Sequence, residues 1–353
     1  MTDLQAPAPM REEHTVTAWD AFLDGWRRVT RAPAVIAGAL VLSLALGFPL
    51  AAVLHGMIAA HLGSSLAAET AASGVNWDWW QEFSAQASGI GTTFSPSVIG
   101  FATVLQNLSG LLDNRPLATA IAGAIAAWLV AWSFLAGGIL DRYARNRRTG
   151  AHGFFAACGV HFFRLLRLGA LALAVYALLF AYLHPALFDK LLPWLTWSST
   201  VERNVFALRV GLYALFGLLL VIVNVLVDYA RVRLVVEDRH SAVGAIVAAG
   251  RFVARHPGRV AGLYALNGGV FLVVILAYGL VAPGAGGAGW AVCWGLLVGE
   301  LYIAARLAVK LQFYASQTAL FQGLLAHAGY IARPATVWPE SPAAEAIRVD
   351  LAP

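Results

Sequence analysis

Apolar residues in this chain fall into six long runs, and the segments before the first run and after the second and fourth runs are rich in arginine. Each run is long enough to cross a bilayer, which takes about 20 apolar residues in a helix. The pattern therefore predicts an all-α polytopic membrane protein with about six transmembrane helices. The predicted spans cover residues 34–60, 117–140, 168–188, 205–229, 260–282 and 290–311.

A shorter amphipathic pattern precedes the first and the fifth run. Residues 17–33 (TAWDAFLDGWRRVTRAP) and 241–257 (SAVGAIVAAGRFVARHP) match at a constant offset, with a hydroxyl residue first, arginines at the same positions and proline last. The apolar positions lie on one stripe of an α-helix, and the hydroxyl residue can cap its start. Because proline ends or kinks a helix, we expect each segment to lie on the membrane surface and turn into a span. We call these segments elbows.

The chain also shows signs of internal repetition. A looser elbow pattern at 149–167 precedes the third run, and Tyr-Ala pairs begin at Tyr143, Tyr229 and Tyr314, at or just after the end of every second run. These features predict three helical-hairpin repeats, each an elbow, a span out and a span back. The repeats cover 15–148, 149–238 and 239–322.

The remaining segments are a terminus at each end and one long loop. Residues 1–14 are predicted to be disordered and 323–353 to form a cytoplasmic tail, although 315–330 can form one more cytoplasmic helix. The outer loop 61–116 holds three tryptophans within four residues, which is typical of the headgroup layer. Its segment 97–112 has a helical apolar stripe but is too polar to span. It can be an interfacial helix or a helix folded back over the bundle.

Positive charge is distributed unevenly between the two sides of the predicted spans. Twenty of the 24 Lys and Arg residues fall on one side, and the four on the other are Arg115, Lys190, Arg203 and Arg209. The positive-inside rule then predicts a bacterial inner-membrane protein with both termini in the cytoplasm. The same rule accounts for the net charge of +5, so no nucleic-acid partner is expected.

Residues 230–263 (ARVRLVVEDRHSAVGAIVAAGRFVARHPGRVAGL) combine an acidic turn, a small-residue amphipathic helix, arginines and then a span. This combination resembles the repeated element of the bacterial glycerophosphoryl diester phosphodiesterase membrane-domain family, and of related six-helix proteins of unknown function. The resemblance covers the elbows and the spans behind them. It implies fold and topology but no catalysis, because the chain carries no soluble phosphodiesterase domain.

Glu300 is the most exceptional residue inside a predicted span. An ionised carboxylate near the bilayer midplane costs several kcal/mol unless it is paired or protonated. Asn267 and Asn224 on neighbouring spans, or Arg306, can serve as partners. Two roles stay open: binding a proton or substrate, and fastening helices together as a neutral, hydrogen-bonded acid.

Seven arginines of the elbows and their surroundings form a second set of candidates. A guanidinium group binds phosphate in a bidentate manner, so we expect contacts with anionic lipid headgroups. The same arginines can instead serve only to orient the spans, with their stems against apolar surface. They are Arg27, Arg31, Arg145, Arg164, Arg251, Arg255 and Arg259. Asp141 and Asp228 are expected to pair with adjacent arginines.

Other chemistry is weakly indicated. His55, His61 and His184 lie near one predicted boundary and could ligate a cofactor, although lone polar histidines are far commoner. Cys158 and Cys293 make neither a disulfide frame nor a metal site. The sequence holds no phosphate loop, metal-spaced cluster or nucleophile motif. We therefore predict no catalytic residue, no metal and no cofactor.

Taken together, these features predict a non-enzymatic membrane protein. It would act as an assembly or interaction subunit of a membrane complex, or in lipid organisation, with anionic lipids and other subunits as partners. The alternative is a small transporter or permease that uses Glu300.

Overall fold

The computed structural model describes residues 16–63, 65–95, 100–115, 119–146, 149–282 and 289–327. Within these ranges every regular element is helical. The helices are α1 (Ala18–Thr30), α2 (Pro33–Gly63), α3 (Ala68–Ser73), α4 (Trp77–Gln86), α5 (Gly100–Leu112), α6 (Ala122–Arg145), α7 (Ala151–Leu178), α8 (Leu192–Thr196), α9 (Glu202–Val236), α10 (Ala242–Arg255), α11 (Pro257–Val281) and α12 (Trp290–His327).

Six of these helices are long and apolar enough to cross a membrane. They are α2, α6, α7 with its continuation to Thr196, α9, α11 and α12. The prediction of an all-α, polytopic membrane protein is thereby confirmed at this level.

Two short amphipathic helices lead directly into apolar ones. Thr17 caps α1 through a reciprocal pair of hydrogen bonds with Asp20, and the Ser241 hydroxyl accepts a hydrogen bond from the Gly244 amide at the start of α10. Pro33 and Pro257 are the first residues of α2 and α11, where a missing amide hydrogen costs nothing. The position of α1 and α10 relative to a membrane stays a prediction.

The predicted elbow at 149–167 is wrong as a separate element. Helix α7 runs from Ala151 to Leu178 without a break and continues through two π-helical stretches, Leu179–Leu183 and Ala186–Leu191, into α8. The reason lies in the sequence, because no proline follows 149–167 to interrupt the hydrogen-bond ladder before the apolar run.

The sixth span and the additional cytoplasmic helix at 315–330 are likewise not separate. Helix α12 is continuous over 38 residues, or about 57 Å, and so exceeds a hydrocarbon core of about 30 Å. Residues 323–327, assigned to the predicted tail, belong to this helix. The rest of the predicted tail and the predicted disordered residues 1–14 lie outside the described residues.

The larger of two hydrophobic core clusters in the described residues lies at one end of the long helices, and the smaller one, Leu187, Leu192, Leu212 and Phe216, lies outside it. The larger cluster is built from α1, α10, the ends of α6, α9 and α12, and the starts of α7 and α11. We call this region, residues 16–32, 136–146, 151–168, 225–267 and 307–327, the inner-end layer. Away from it the long helices expose apolar side chains: Phe48 is 73% exposed and Leu280 is 87% exposed.

Within the inner-end layer α6, α9 and α12 contact one another, and each carries a further helical segment on its outside. Helix α1 packs on α12, the start of α7 packs on α6, and α10 packs on α9. Tyr143, Tyr229 and Tyr314, near the ends of the three contacting helices, are all buried.

Helix α5 packs against α9 and α11. Its end is held there by the Tyr213 hydroxyl, which donates a hydrogen bond to Asp113 at 2.6 Å. This hydrogen bond lowers the pKa of the Asp113 carboxyl. Of the two arrangements considered for 97–112, these contacts of Gly100–Leu112 favour the helix that folds back over the bundle, while residues 97–99 lie outside the described residues.

Candidate functional site

The most extensive buried polar cluster in the described residues centres on Asp228, near the end of α9. Its Oδ2 accepts hydrogen bonds from the Tyr264 hydroxyl at 2.8 Å, Asn224 Nδ2 at 3.2 Å and Gln317 Nε2 at 3.4 Å. Arg231 donates to Oδ1 at 2.8 Å. Asp228 is only 8% exposed, so these four donors replace the water that its carboxylate has lost. The cluster ties α9, α11 and α12 together.

A second set of hydrogen bonds extends the polar core toward α1. Asn267 is 1% exposed and donates to Ser316 Oγ at 3.0 Å, while Gln312 Nε2 donates to the Phe22 carbonyl oxygen at 2.8 Å. The close approach of α1 needs a glycine, because a Cβ atom on Gly25 would lie 2.8 Å from Ser316 Cβ.

Arg28 fastens α1 to the end of α6. Its Nη1 donates to the Tyr143 carbonyl oxygen and to Gln322 Oε1, both at 2.8 Å, and its Nη2 lies 2.7 Å from Asp24. Gln322 in turn donates to the Ala144 carbonyl oxygen at 2.9 Å. These donors satisfy carbonyl groups that the end of a helix leaves without partners.

Lys310 lies in a different environment from the other cations of the layer. Its Nζ is 3.6 Å from the centroid of the Trp132 ring, and Trp132 Nε1 donates to the Tyr314 hydroxyl at 2.9 Å. An ammonium group over an aromatic face is stabilised by the ring quadrupole. Within the described residues Lys310 makes no ion pair.

The three intramembrane candidates are not brought together. Asn224 and Asn267 bond to Asp228 and Ser316, as described above, and not to Glu300. Glu300 is partly buried, and its Oε2 lacks a hydrogen-bond partner among the described residues. Arg306 instead lies over the ring of Tyr302, 5.5 Å from its centroid.

The seven predicted headgroup arginines fall into two groups. Arg145 pairs with Asp141 at 2.8 Å, and Arg164 pairs with Asp238. The other five make no ion pair within the described residues: Arg27, Arg31, Arg251, Arg255 and Arg259. The predicted pairing of Asp141 and Asp228 with adjacent arginines is confirmed.

Arg251 and Arg255 line a cavity of about 560 Å³ between α10 and the ends of α9 and α12. Arg233 and Arg239 contribute to the same wall, and Phe252 and Leu325 supply apolar surface. We call this cavity the basic groove. His256 also lines it, and burial together with the charges of Arg259 and Arg255 lowers the pKa of this imidazole.

Two of the three histidines considered for a cofactor have local partners. His61 accepts a hydrogen bond from Trp79 Nε1 at 3.0 Å, and His184 Nε2 lies 2.7 Å from the Leu112 carbonyl oxygen. His55 lies within α2. Among the described residues no three His, Cys, Asp or Glu side chains are grouped so that they could hold a metal ion.

Sequence reasoning missed Tyr264, Gln317, Lys310 and Arg28. A tyrosine or glutamine within an apolar run carries no signal until the partner helix is known.

The chain matches no protein-family model, no curated protein and no solved structure in the three comparisons made.

Proposed function

We propose that this integral membrane protein is non-enzymatic and belongs to the bacterial inner membrane. It acts as an assembly or interaction subunit of a membrane complex, or it organises lipids around itself. The proposal depends mainly on the uncovered apolar surface outside the inner-end layer. In α2, which has 31 residues, Ala39 alone is buried. Such a helix needs lipid tails or other transmembrane helices around it.

The hydrogen bonds of the polar core support a scaffolding role rather than an enzymatic one. Asp228 is engaged by four donors from its own chain, and Arg28 is engaged by three acceptors. Groups held in this way fix helix positions, whereas an acid or base in catalysis needs access to a substrate proton.

Site-specific photo-crosslinking tests the proposal in the native membrane. A benzophenone side chain at Phe48, on the uncovered face of α2, should give one discrete protein adduct or a lipid adduct. The matched position is Trp132, which is 7% exposed and should give neither. A lone monomer in mild detergent, with no adduct at Phe48 and no stoichiometric protein or lipid, would contradict the proposal.

We also infer that the chain contains three copies of one helical hairpin, with both termini and the inner-end layer on the cytoplasmic side. The repeated packing supports this inference: α7 and α10 lie on the returning helix of the preceding hairpin, α6 and α9, and α1 lies on α12, the returning helix of the last hairpin. The continuous α7 makes the second copy depart from the elbow pattern. Membership of the phosphodiesterase membrane-domain family stays a proposal that depends on residues 230–263.

A transporter that uses Glu300 is the second candidate. It is favoured by one observation, the partly buried Glu300 carboxylate whose Oε2 has no hydrogen-bond partner among the described residues. A group of this kind inside a span is a candidate for binding a proton or substrate.

The Glu300→Gln variant distinguishes a role of Glu300 in transport from a role in holding helices together. If Glu300 carries protons, the wild-type chain in proteoliposomes should dissipate an imposed pH gradient, and the variant should not, at unchanged abundance. Glu202→Gln, at the exposed start of α9, is the control. Lower abundance without any difference in proton flux would identify Glu300 as a helix fastener.

A further inference from the structure

We propose that the basic groove binds the phosphate headgroup of an anionic phospholipid. The inference rests on the proposed function, because it specifies the lipid that a membrane-organising protein would hold. Four arginines line the groove: Arg233, Arg239, Arg251 and Arg255.

The charges in the groove do not cancel. Glu237, whose side chain is 6% exposed, pairs with both Arg233 and Arg239. Arg251 and Arg255 make no ion pair within the described residues, and they lie one turn apart on the same face of α10. The groove thus keeps an excess of positive charge, and exposed guanidinium groups are free to bind phosphate oxygens in a bidentate manner.

The apolar part of the wall favours a lipid over a soluble phosphate. Phe252 is buried and packs on Phe321 with ring centroids 5.2 Å apart, while Val247 is 49% exposed. Leu324 and Leu325 also line the groove. A fully hydrated phosphate gains nothing from this surface, whereas the glycerol and upper acyl carbons of a lipid do.

The groove lies beside the point where a span begins. Arg255 is two residues before Pro257, the first residue of the apolar helix α11. Headgroups occupy this depth of a bilayer. The cavity volume, about 560 Å³, is within the range of sites that enclose small molecules.

The test is a lipid competition on the purified full-length chain in a neutral detergent. The protein is equilibrated with equal amounts of phosphatidylglycerol and phosphatidylcholine, and native mass spectrometry counts the lipids that it retains. We expect one phosphatidylglycerol to be retained preferentially. The double variant Arg251→Gln/Arg255→Gln should weaken that binding about 10-fold or more, because two charge-assisted contacts are lost.

The matched control is Arg203→Gln/Arg209→Gln, which removes the same charge from exposed positions at the opposite end of α9 from the groove. Its effect should stay below about twofold, since a general change in net charge acts weakly at exposed sites. Equal losses in both double variants, or no loss in either, would overturn the proposal.

A steric variant keeps the test valid if the double variant fails to fold. Val247→Trp fills the groove without changing its charge and should also abolish the preference, while Val243→Trp, one turn earlier on α10 and 62% exposed, should not. Displacement of the lipid by inorganic phosphate alone would mean that the groove takes a soluble anion, which contradicts the lipid assignment. A negative result here leaves the crosslinking test at Phe48 unaffected.

Discussion

A buried carboxylate is stable in a membrane protein only if its own chain replaces the water that it has lost. Asp228 meets this condition through donors on three helices, and its ion pair with Arg231 is less solvated than the corresponding pair of Asp141 and Arg145. The Arg231 side chain is 30% exposed and that of Arg145 is 40% exposed. Among the described residues, Arg145 alone donates a hydrogen bond to Asp141. The two aspartates occupy similar positions near the ends of α9 and α6, so they form a natural comparison.

Asp228→Asn should lower the free energy of unfolding by about 2–3 kcal/mol, because Arg231 loses its anion and the amide presents a donor to Tyr264 and Gln317. Asp141→Asn should cost less than about 1 kcal/mol. Thermal unfolding in detergent, followed by intrinsic tryptophan fluorescence, measures both. Equal losses would mean that the hydrogen bonds around Asp228 contribute little.

Local charge pairing could be predicted from the sequence, but the polar core could not. Asp228 and Arg231 are three residues apart on one helix, so their pairing follows from helical spacing. Tyr264 and Gln317 reach Asp228 from helices 36 and 89 residues further on, as the hydrogen bonds record. The expected partners of Glu300 were wrong for the same reason, because depth along a span does not specify which faces of two helices meet.

At the scale of elements, close packing between α6 and α7 depends on two adjacent glycines of α6, Gly137 and Gly138. A Cβ atom on Gly138 would lie 2.5 Å from Cys158 Sγ and 2.9 Å from the Phe154 carbonyl oxygen. The second of these neighbours is backbone and cannot move away without shifting the helix. Gly159, which lies in α7, has no atom within 4 Å of such a Cβ.

Gly138→Ala should destabilise the protein by about 1–3 kcal/mol through overpacking. Gly159→Ala should be neutral or stabilise it by up to about 1 kcal/mol, because alanine favours a helix more than glycine does. The midpoint of thermal unfolding should fall for Gly138→Ala and should stay unchanged or rise for Gly159→Ala. A tolerated Gly138→Ala would show that α6 and α7 do not meet at this contact.

Six apolar helices could be predicted from hydrophobic length alone, while their ends could not. The starts of α2 and α11 are exceptions, because Pro33 and Pro257 mark them in the sequence. No such residue marks where α7 leaves the amphipathic pattern or where α12 leaves the apolar one, so the hydrogen-bond ladder continues in both. Helix α7 therefore replaces the predicted second elbow, and α12 absorbs the predicted cytoplasmic helix.

At the scale of the whole molecule, the chain combines a well-packed end with a loosely packed one. Helices α9 and α12 extend about 52 Å and about 57 Å, so they exceed a hydrocarbon core of about 30 Å by about 22 Å and about 27 Å. Buried polar residues concentrate in the ends that carry most of the arginines. This arrangement suits the proposed cytoplasmic layer of helices, which would hold the six spans together at one end and present the basic groove at the membrane surface.

Cysteine accessibility tests the orientation on which this account depends. In a background without Cys158 and Cys293, single cysteines replace Ala254 in α10 and Trp197 between α8 and α9, both exposed. With a membrane-impermeant maleimide on intact spheroplasts, we expect Trp197→Cys to be labelled at once and Ala254→Cys only after the membrane is permeabilised. Labelling of Ala254→Cys in intact spheroplasts would place the inner-end layer outside the cell and contradict the account.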